Sequence, residues 1–237
     1  STLFPYTTLF RSPYRSCFRS ASSSEMTSLR IWDISQTLSV TLPVWPGDSP
    51  PSFERRAIHS SSCPVNVASM RLSTHHGTHG DAPFHYDPEG ISIADVDVGA
   101  YIGPARVVDL RGCGTLVTAE MVRPALEGHV ERLLLRTFDR FPHDRWVEDF
   151  AAISADAIAS MAARGVVLIG TDAPSLDPQH SKTLDAHQVV RKNDMRILEG
   201  LVLDDVPAGD YELIALPLKL TGLDASPVRA ILRELAR

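Results

Sequence analysis

One stretch dominates the sequence: His75-His76-Gly77-Thr78-His79-Gly80-Asp81-Ala82-Pro83-Phe84-His85. It contains four of the nine histidines, together with a carboxylate, within eleven residues. Imidazole and carboxylate groups are frequent ligands of transition metals, so the cluster predicts a metal site. Because two glycines and a proline disfavour a helix, we expect the ligands to lie on a loop. Adjacent residues of an extended chain point to opposite faces, so we place His76 in the polar wall rather than on the ion of His75.

Length and composition are those of a single globular domain. The 237 residues are 43% hydrophobic and 22% charged, with a net charge of −6. An acidic chain lacks the basic surface that binds nucleic acid or an anionic membrane, and its apolar runs are too short to span a bilayer. Three cysteines without a CxxC pair are typical of a reducing compartment. We therefore expect a cytoplasmic protein.

The first 25 residues differ in composition from the rest of the chain. They are rich in serine and threonine and carry three arginines against one acid. An organellar transit peptide has this composition, but so does translated sequence that does not belong to the protein, which we favour. We expect residues 1–25 to be an extraneous or disordered extension and residues 26–237 to form the domain.

Apolar periodicity predicts short strands mixed with helices. The sequence predicts strands at 30–34, 66–72, 105–110, 130–136, 166–169, 197–203 and 211–216, with the strand at 66–72 half-buried. It predicts helices at 119–127, 155–164 (capped by Ser154) and 185–193, and a final amphipathic helix that begins at Ser226-Pro227. This order predicts an α/β fold and leaves the topology of the sheet open.

Three residues outside the cluster are candidates for the site. His187 lies in the first turn of its predicted helix, where it is either a ligand or a surface histidine. Glu199 is a single acid in an apolar strand, so it is metal-bound or paired with Arg196. Trp45 lies in the proline-rich segment 43–51 and is either a packing residue or an aromatic platform for a planar ligand.

The cluster resembles the signature of the metal-dependent cyclase/hydrolase superfamily, as His75-x-Gly-Thr-His79-x-Asp81-x-Pro83-x-His85. Five further segments resemble bacterial kynurenine formamidases (arylformamidases) in particular: 43–48, 170–178, 183–187, 197–204 and 216–227. The resemblance covers residues 29–237. His76 departs from it, because a smaller polar residue is expected there.

The resemblance implies a role for each candidate residue. It implies two Zn²⁺ ions per subunit, although these ligands also suit other divalent metals. One ion would be bound by His75, His79 and Asp81, and the other by Asp81, His187 and Glu199, so that Asp81 bridges them. His85 would be the proton donor and acceptor, with the alternative that it is itself a ligand. Trp45 would line the substrate pocket.

The resemblance also implies a fold and an activity. The expected fold is a single α/β domain, a barrel-like mixed β-core with helices packed outside, assembled as a homodimer. The expected reaction is hydrolysis of N-formyl-L-kynurenine to L-kynurenine and formate in tryptophan degradation, by water activated at a dinuclear metal site. Another hydrolase of the superfamily, acting on a cyclic or linear amide, is the alternative. A serine-type formamidase is excluded because the sequence has no GxSxG elbow.

Overall fold

Residues 29–235 are described by the computed structural model, and the N-terminal extension expected at residues 1–25 lies outside them. The described residues form thirteen strands and three α-helices. The strands are β1 (Ile31–Asp33), β2 (Ser52–Ala57), β3 (Val67–Arg71), β4 (His79–Asp81), β5 (Ile102–Asp109), β6 (Leu116–Val117), β7 (Arg132–Arg136), β8 (Ala152–Ile153), β9 (Leu168–Thr171), β10 (Arg196–Glu199), β11 (Gly209–Ile214), β12 (Ala225–Pro227) and β13 (Ile231–Glu234). The helices are α1 (Ala119–Val122), α2 (Ala155–Ala162) and α3 (Asp185–Lys192).

Nine of these strands form one curled sheet, in the order β1-β13-β11-β5-β7-β9-β10-β4-β12. The four strands β5, β7, β9 and β10 are parallel to one another, and every other pairing in the sheet is antiparallel. The sheet curls into a half-barrel. The expected barrel-like mixed β-core with helices outside is therefore confirmed.

Both faces of the sheet are buried because the core lies on either side of it. In β7, Leu134 packs into one apolar cluster, whereas Leu133 and Leu135 pack into the other, and all three have no exposed surface. The three helices lie on the side of Leu133 and Leu135. Strands covered on both faces are near-continuous apolar runs, which is why β7 and β9 were recognisable in the sequence.

Several predicted elements are confirmed, and one begins with the predicted cap. The Ser154 side chain accepts a hydrogen bond from the Ala157 amide at the start of α2. The helix predicted at 119–127 is shorter, because Pro124 has no amide hydrogen and the chain continues as a 3₁₀ turn, Arg123–Leu126. No helix within residues 29–235 is long and apolar enough to cross a membrane.

The predicted C-terminal helix is wrong. Residues 225–227 and 231–234 are strands, and β13 pairs with both β11 and β1. Proline at the start of a helix and proline in an edge strand give the same local signal, and β12 is the edge strand beside β4. Leu232 is fully buried in the core, so tertiary pairing decides the structure here.

The predicted burial of the strand at 66–72 is also wrong. β3 pairs with β2 alone, and every residue of β3 is exposed. Met70 is 66% exposed and its cross-strand partner Phe53 is 43% exposed, so the apolar side of the hairpin that they share has no cover within the described residues.

Candidate metal centre

Strand β4 provides two of the candidate ligands. His79 and Asp81 are two residues apart, so both side chains lie on one face of the strand. Glu199 of β10 is paired directly with His79. The expectation of a loop is wrong for this pair, because His79–Asp81 is a strand. Gly80 is needed here for close packing, because a β-carbon at this position would lie 3.3 Å from the Tyr101 ring.

The other four predicted ligands lie together with Asp81. One carboxylate oxygen, Oδ1, lies 3.2 Å from Nδ1 of His75 and 3.5 Å from Nε2 of His79. The other, Oδ2, lies 3.6 Å from Nε2 of His187. Glu199 faces the same space, with oxygens 3.4 Å from His79 Nε2 and 3.7 Å from His187 Nε2. Each oxygen of Asp81 thus faces different histidines, His75 and His79 at Oδ1 and His187 at Oδ2.

Three of these residues, His79, Asp81 and His187, fit a metal because their inward atoms have no other partner. Nε2 of His79, Nε2 of His187 and both Asp81 oxygens are buried and have no hydrogen-bond partner within the described residues. Buried polar atoms are normally paired, and an isolated buried carboxylate is costly. His75, His79 and Asp81 offer ligand atoms that lie within 4.8 Å of one another, as do Asp81, His85 and His187. A divalent cation would satisfy these atoms.

The outward nitrogens of two histidines are held by the protein. Nδ1 of His79 lies 2.9 Å from the Gly77 carbonyl, which can only accept, so Nδ1 carries the proton and Nε2 offers its lone pair. Nδ1 of His187 lies 2.6 Å from Asp177. Asp177 also accepts from the amides of Ala186 and His187, which fixes the first turn of α3.

Asp177 and Asp224 are site residues that sequence reasoning missed. Asp224 Oδ2 lies 3.0 Å from Nε2 of His75 and 3.4 Å from Nδ1 of His85. Asp224 precedes β12, and its carbonyl accepts from the Ala82 amide beside β4. The wrongly predicted C-terminal helix concealed this contact. For Asp177, nothing in the local pattern pointed to His187, which is ten residues away.

The carboxylates make the centre favourable for positive charge. Burial opposes ionisation of Asp81, yet the adjacent imidazoles of His187 and His75 hold its pKa well below the usual range. Burial lowers the pKa of His75, but Asp224 and Asp81 overcome this and raise it to about 10. In the same way, Asp177 and Asp81 outweigh burial and raise the pKa of His187 to about 10. Protons and metal ions therefore compete for the same positions.

The centre forms one end of a cavity of about 330 Å³. Its wall includes Trp45, whose ring meets that of Trp146 edge-on at 5.3 Å between centroids. His85 also lines the cavity, with its ring centroid 4.3 Å from that of His75. His76 lies in the wall, as expected, and its Nε2 is 3.5 Å from Asp48.

The alternative of an ion pair between Glu199 and Arg196 is wrong. The two residues are three apart on β10, so their side chains point to opposite faces. Arg196 pairs with Asp194 at 2.8 Å, while Glu199 accepts from the Leu176 amide at 2.9 Å.

Comparisons with known proteins cover both the sheet and the centre. Residues 32–178 match the family model described as "Putative cyclase". The chain is 56% identical over 208 residues to a kynurenine formamidase of Sphingopyxis alaskensis, covering 87% of this chain and 99% of that protein. It is 54% identical over 214 residues to a kynurenine formamidase of Erythrobacter litoralis, covering 90% and 98%. A solved structure of a potential metal-dependent hydrolase with cyclase activity has a TM-score of 0.77 and 25% identity, covering 89% of this chain and 100% of that chain.

We predict that Zn²⁺ binding to the metal-free protein releases protons and strengthens as pH rises from 6 to 8. His75 and His187, with pKa values of about 10, are protonated at pH 7, and an ion needs their lone pairs. The affinity should rise about tenfold per pH unit for each proton released. Isothermal titration calorimetry in buffers of different ionisation enthalpy measures the number of protons released per Zn²⁺ ion bound.

The exposed His180 provides the control, since His180→Ala should leave the titration unchanged. Binding that is independent of pH and releases no proton would contradict the assignment of these histidines to the ion.

Proposed function

Because this chain belongs to the cyclase family, we propose that it hydrolyses N-formyl-L-kynurenine to L-kynurenine and formate. The observation that supports this most strongly is the 54–56% identity to two kynurenine formamidases over 98–99% of their lengths. The histidine–carboxylate centre at the end of an aromatic-walled cavity suits the hydrolysis of an aryl amide. Another cyclic or linear amide hydrolase of the superfamily remains the alternative.

We further propose two divalent ions, Zn²⁺ in the first instance, held by five residues. One ion would be held by His75, His79 and Asp81, and the second by Asp81, His187 and Glu199. The orphaned inward atoms of His79, Asp81 and His187 support metal binding, and the contacts of the two Asp81 oxygens with different histidines support the division. When bound, such ions lower the pKa of water to about 7 and stabilise the negative charge that develops on the carbonyl oxygen.

The protein side chains would position the substrate and move the proton. Trp45 and Trp146 offer an aromatic wall for the aryl ring and exclude water from it. Water oxygen adds to the formyl carbon, and the bond from that carbon to the aniline nitrogen breaks. The leaving nitrogen needs a proton as it departs, and His85 would take one from water and deliver it there. Asp224, 3.4 Å from Nδ1 of His85, would hold the ring in place.

The test of the function is hydrolysis of N-formyl-L-kynurenine by the full chain, followed at the absorbance of kynurenine. We expect turnover that a chelator abolishes and Zn²⁺ restores. In the same assay, His85→Ala should lower kcat at least about a hundredfold while the bound metal is retained, because the leaving group then lacks its acid. The exposed His129 gives the matched control, His129→Ala, which should keep full activity.

Two results would count against this proposal. A folded, metal-loaded protein that does not hydrolyse N-formyl-L-kynurenine would remove the substrate and favour the other amide hydrolases. Loss of metal from His85→Ala would show that His85 is a ligand instead of the proton carrier.

We also propose that the protein is a homodimer that uses the β2–β3 hairpin. A two-stranded hairpin has marginal stability alone, and this one exposes the cross-strand pair Phe53 and Met70 on one face. An apolar groove lined by Leu216, Leu218 and Leu223 adjoins Met70. Together they supply the kind of apolar surface that a partner copy covers.

Met70→Glu should therefore shift the dimer to monomer in sedimentation velocity, since a charge would be buried at the contact. The control is Leu116→Glu, an exposed apolar residue of β6. A Met70→Glu variant that remains dimeric would contradict the hairpin interface.

Cys63 and Cys113 are free thiols among the described residues, which suits the cytoplasmic location that we propose.

A further inference from the structure

We propose that Arg145 binds the carboxylate of the substrate and thereby determines which end of the molecule faces the metal centre. This inference rests on the proposed function, because it concerns how an aryl formamide that carries an amino acid at the far end of its ketone chain enters the cavity. It assigns specificity to a residue on the wall of the cavity, remote in sequence from the histidine cluster.

The charges that line the cavity single out Arg145. Among the described residues it is the one lysine or arginine in the wall. The lining carboxylate of Asp172 is engaged by Thr137 and by the Phe138 amide. The lining residues next to Arg145 in the sequence are aromatic or apolar: Phe141, Pro142, Trp146 and Val147. Among the described residues of the wall, Arg145 is therefore the one lysine or arginine that an anionic group of a ligand can contact.

The guanidinium of Arg145 is available for a ligand. Within residues 29–235 its ion pair is with the neighbouring Asp144, at 3.5 Å, and both side chains are largely exposed. Exposed pairs of this kind contribute little, so a ligand carboxylate can replace Asp144 at low cost.

The backbone on either side of Arg145 is fixed. The Trp146 indole donates to Gln179 at 2.6 Å, and the Phe141 amide donates to Asp204 at 2.9 Å. Trp146 also packs against Trp45 across the cavity wall. A flexible cationic side chain thus extends from an anchored segment beside the aromatic wall, which is suited to capturing one charged end of a ligand.

The substrate needs such a contact because both of its ends are able to bind metal. The formamide must reach the centre for hydrolysis, but the amino acid carboxylate is an intrinsically better ligand for a divalent cation. If the molecule entered carboxylate first, it would occupy the ions without reacting. A guanidinium pairs with a carboxylate through two parallel hydrogen bonds, so Arg145 favours the orientation with the formamide inward.

The experiment compares two substrates in the full-length, metal-loaded enzyme. N-Formyl-L-kynurenine has the carboxylate, whereas 2-formamidoacetophenone keeps the aryl formamide and ketone but lacks the amino acid. Arg145→Gln should raise KM for the first substrate about tenfold, the value of one partly exposed charge-assisted hydrogen bond. It should leave kcat, and both constants for the second substrate, within about twofold of the wild type. Arg145→Lys should recover part of the loss, because it keeps the charge without the two-pronged geometry.

Arg140→Gln is the matched control, since Arg140 is exposed on the same segment and does not line the cavity. Unchanged kinetics of Arg145→Gln on both substrates would overturn the assignment of Arg145 alone. Equal losses on both substrates would assign Arg145 a structural role, which also overturns the proposal. A wild-type enzyme that hydrolyses neither substrate would overturn the proposed function, and the role of Arg145 with it.

Discussion

The burial of Asp81 is the constraint on which the centre depends. Its carboxylate has no exposed surface and no hydrogen-bond partner among the described residues, yet three histidines surround it. A carboxylate in this position must be neutralised by protons on the histidines or by metal ions. The sheet makes this arrangement by placing β4 between β10 and β12, which brings Glu199 opposite His79 and Asp224 next to the site. The order of the strands in the sheet therefore determines which side chains lie together at the site.

The walls of the cavity are held in place by two buried or partly buried aspartates. Asp172 and Asp204 accept hydrogen bonds from the backbone of the segment 137–150, which carries Trp146 and Arg145 to the cavity. Asp172 is so deeply buried that its pKa is raised to about 6, although Thr137 and Phe138 donate to it. The aromatic wall would hold the ring of the substrate, and the guanidinium of Arg145 would hold the carboxylate at its far end. On the proposed function, the histidine–carboxylate centre would then have only the reacting amide to bind.

Much of the fold and of the candidate site was predictable from local sequence, and the residues and elements that were missed have one cause in common. The histidine cluster is contiguous, and the apolar runs of β7 and β9 identify central strands. Asp177 and Asp224 were missed because each meets its histidine only through tertiary structure. The C-terminal strands and the exposure of β3 were missed for the same reason, since pairing and burial depend on distant partners. Even the strand predicted to reach 203 ends at Glu199, where Gly200 adopts a φ of +65° beside the Gly77 carbonyl.

The most direct test of the account is the metal content of the wild type and of Asp81→Ala after loading with Zn²⁺ and desalting. Elemental analysis should find two ions per chain in the wild type and at most one in Asp81→Ala, because the shared carboxylate is gone. Asp139→Ala, which removes an exposed acid, should keep both ions. Two ions retained by Asp81→Ala, or none bound by the wild type, would contradict the claim that the buried carboxylate of Asp81 is satisfied by metal.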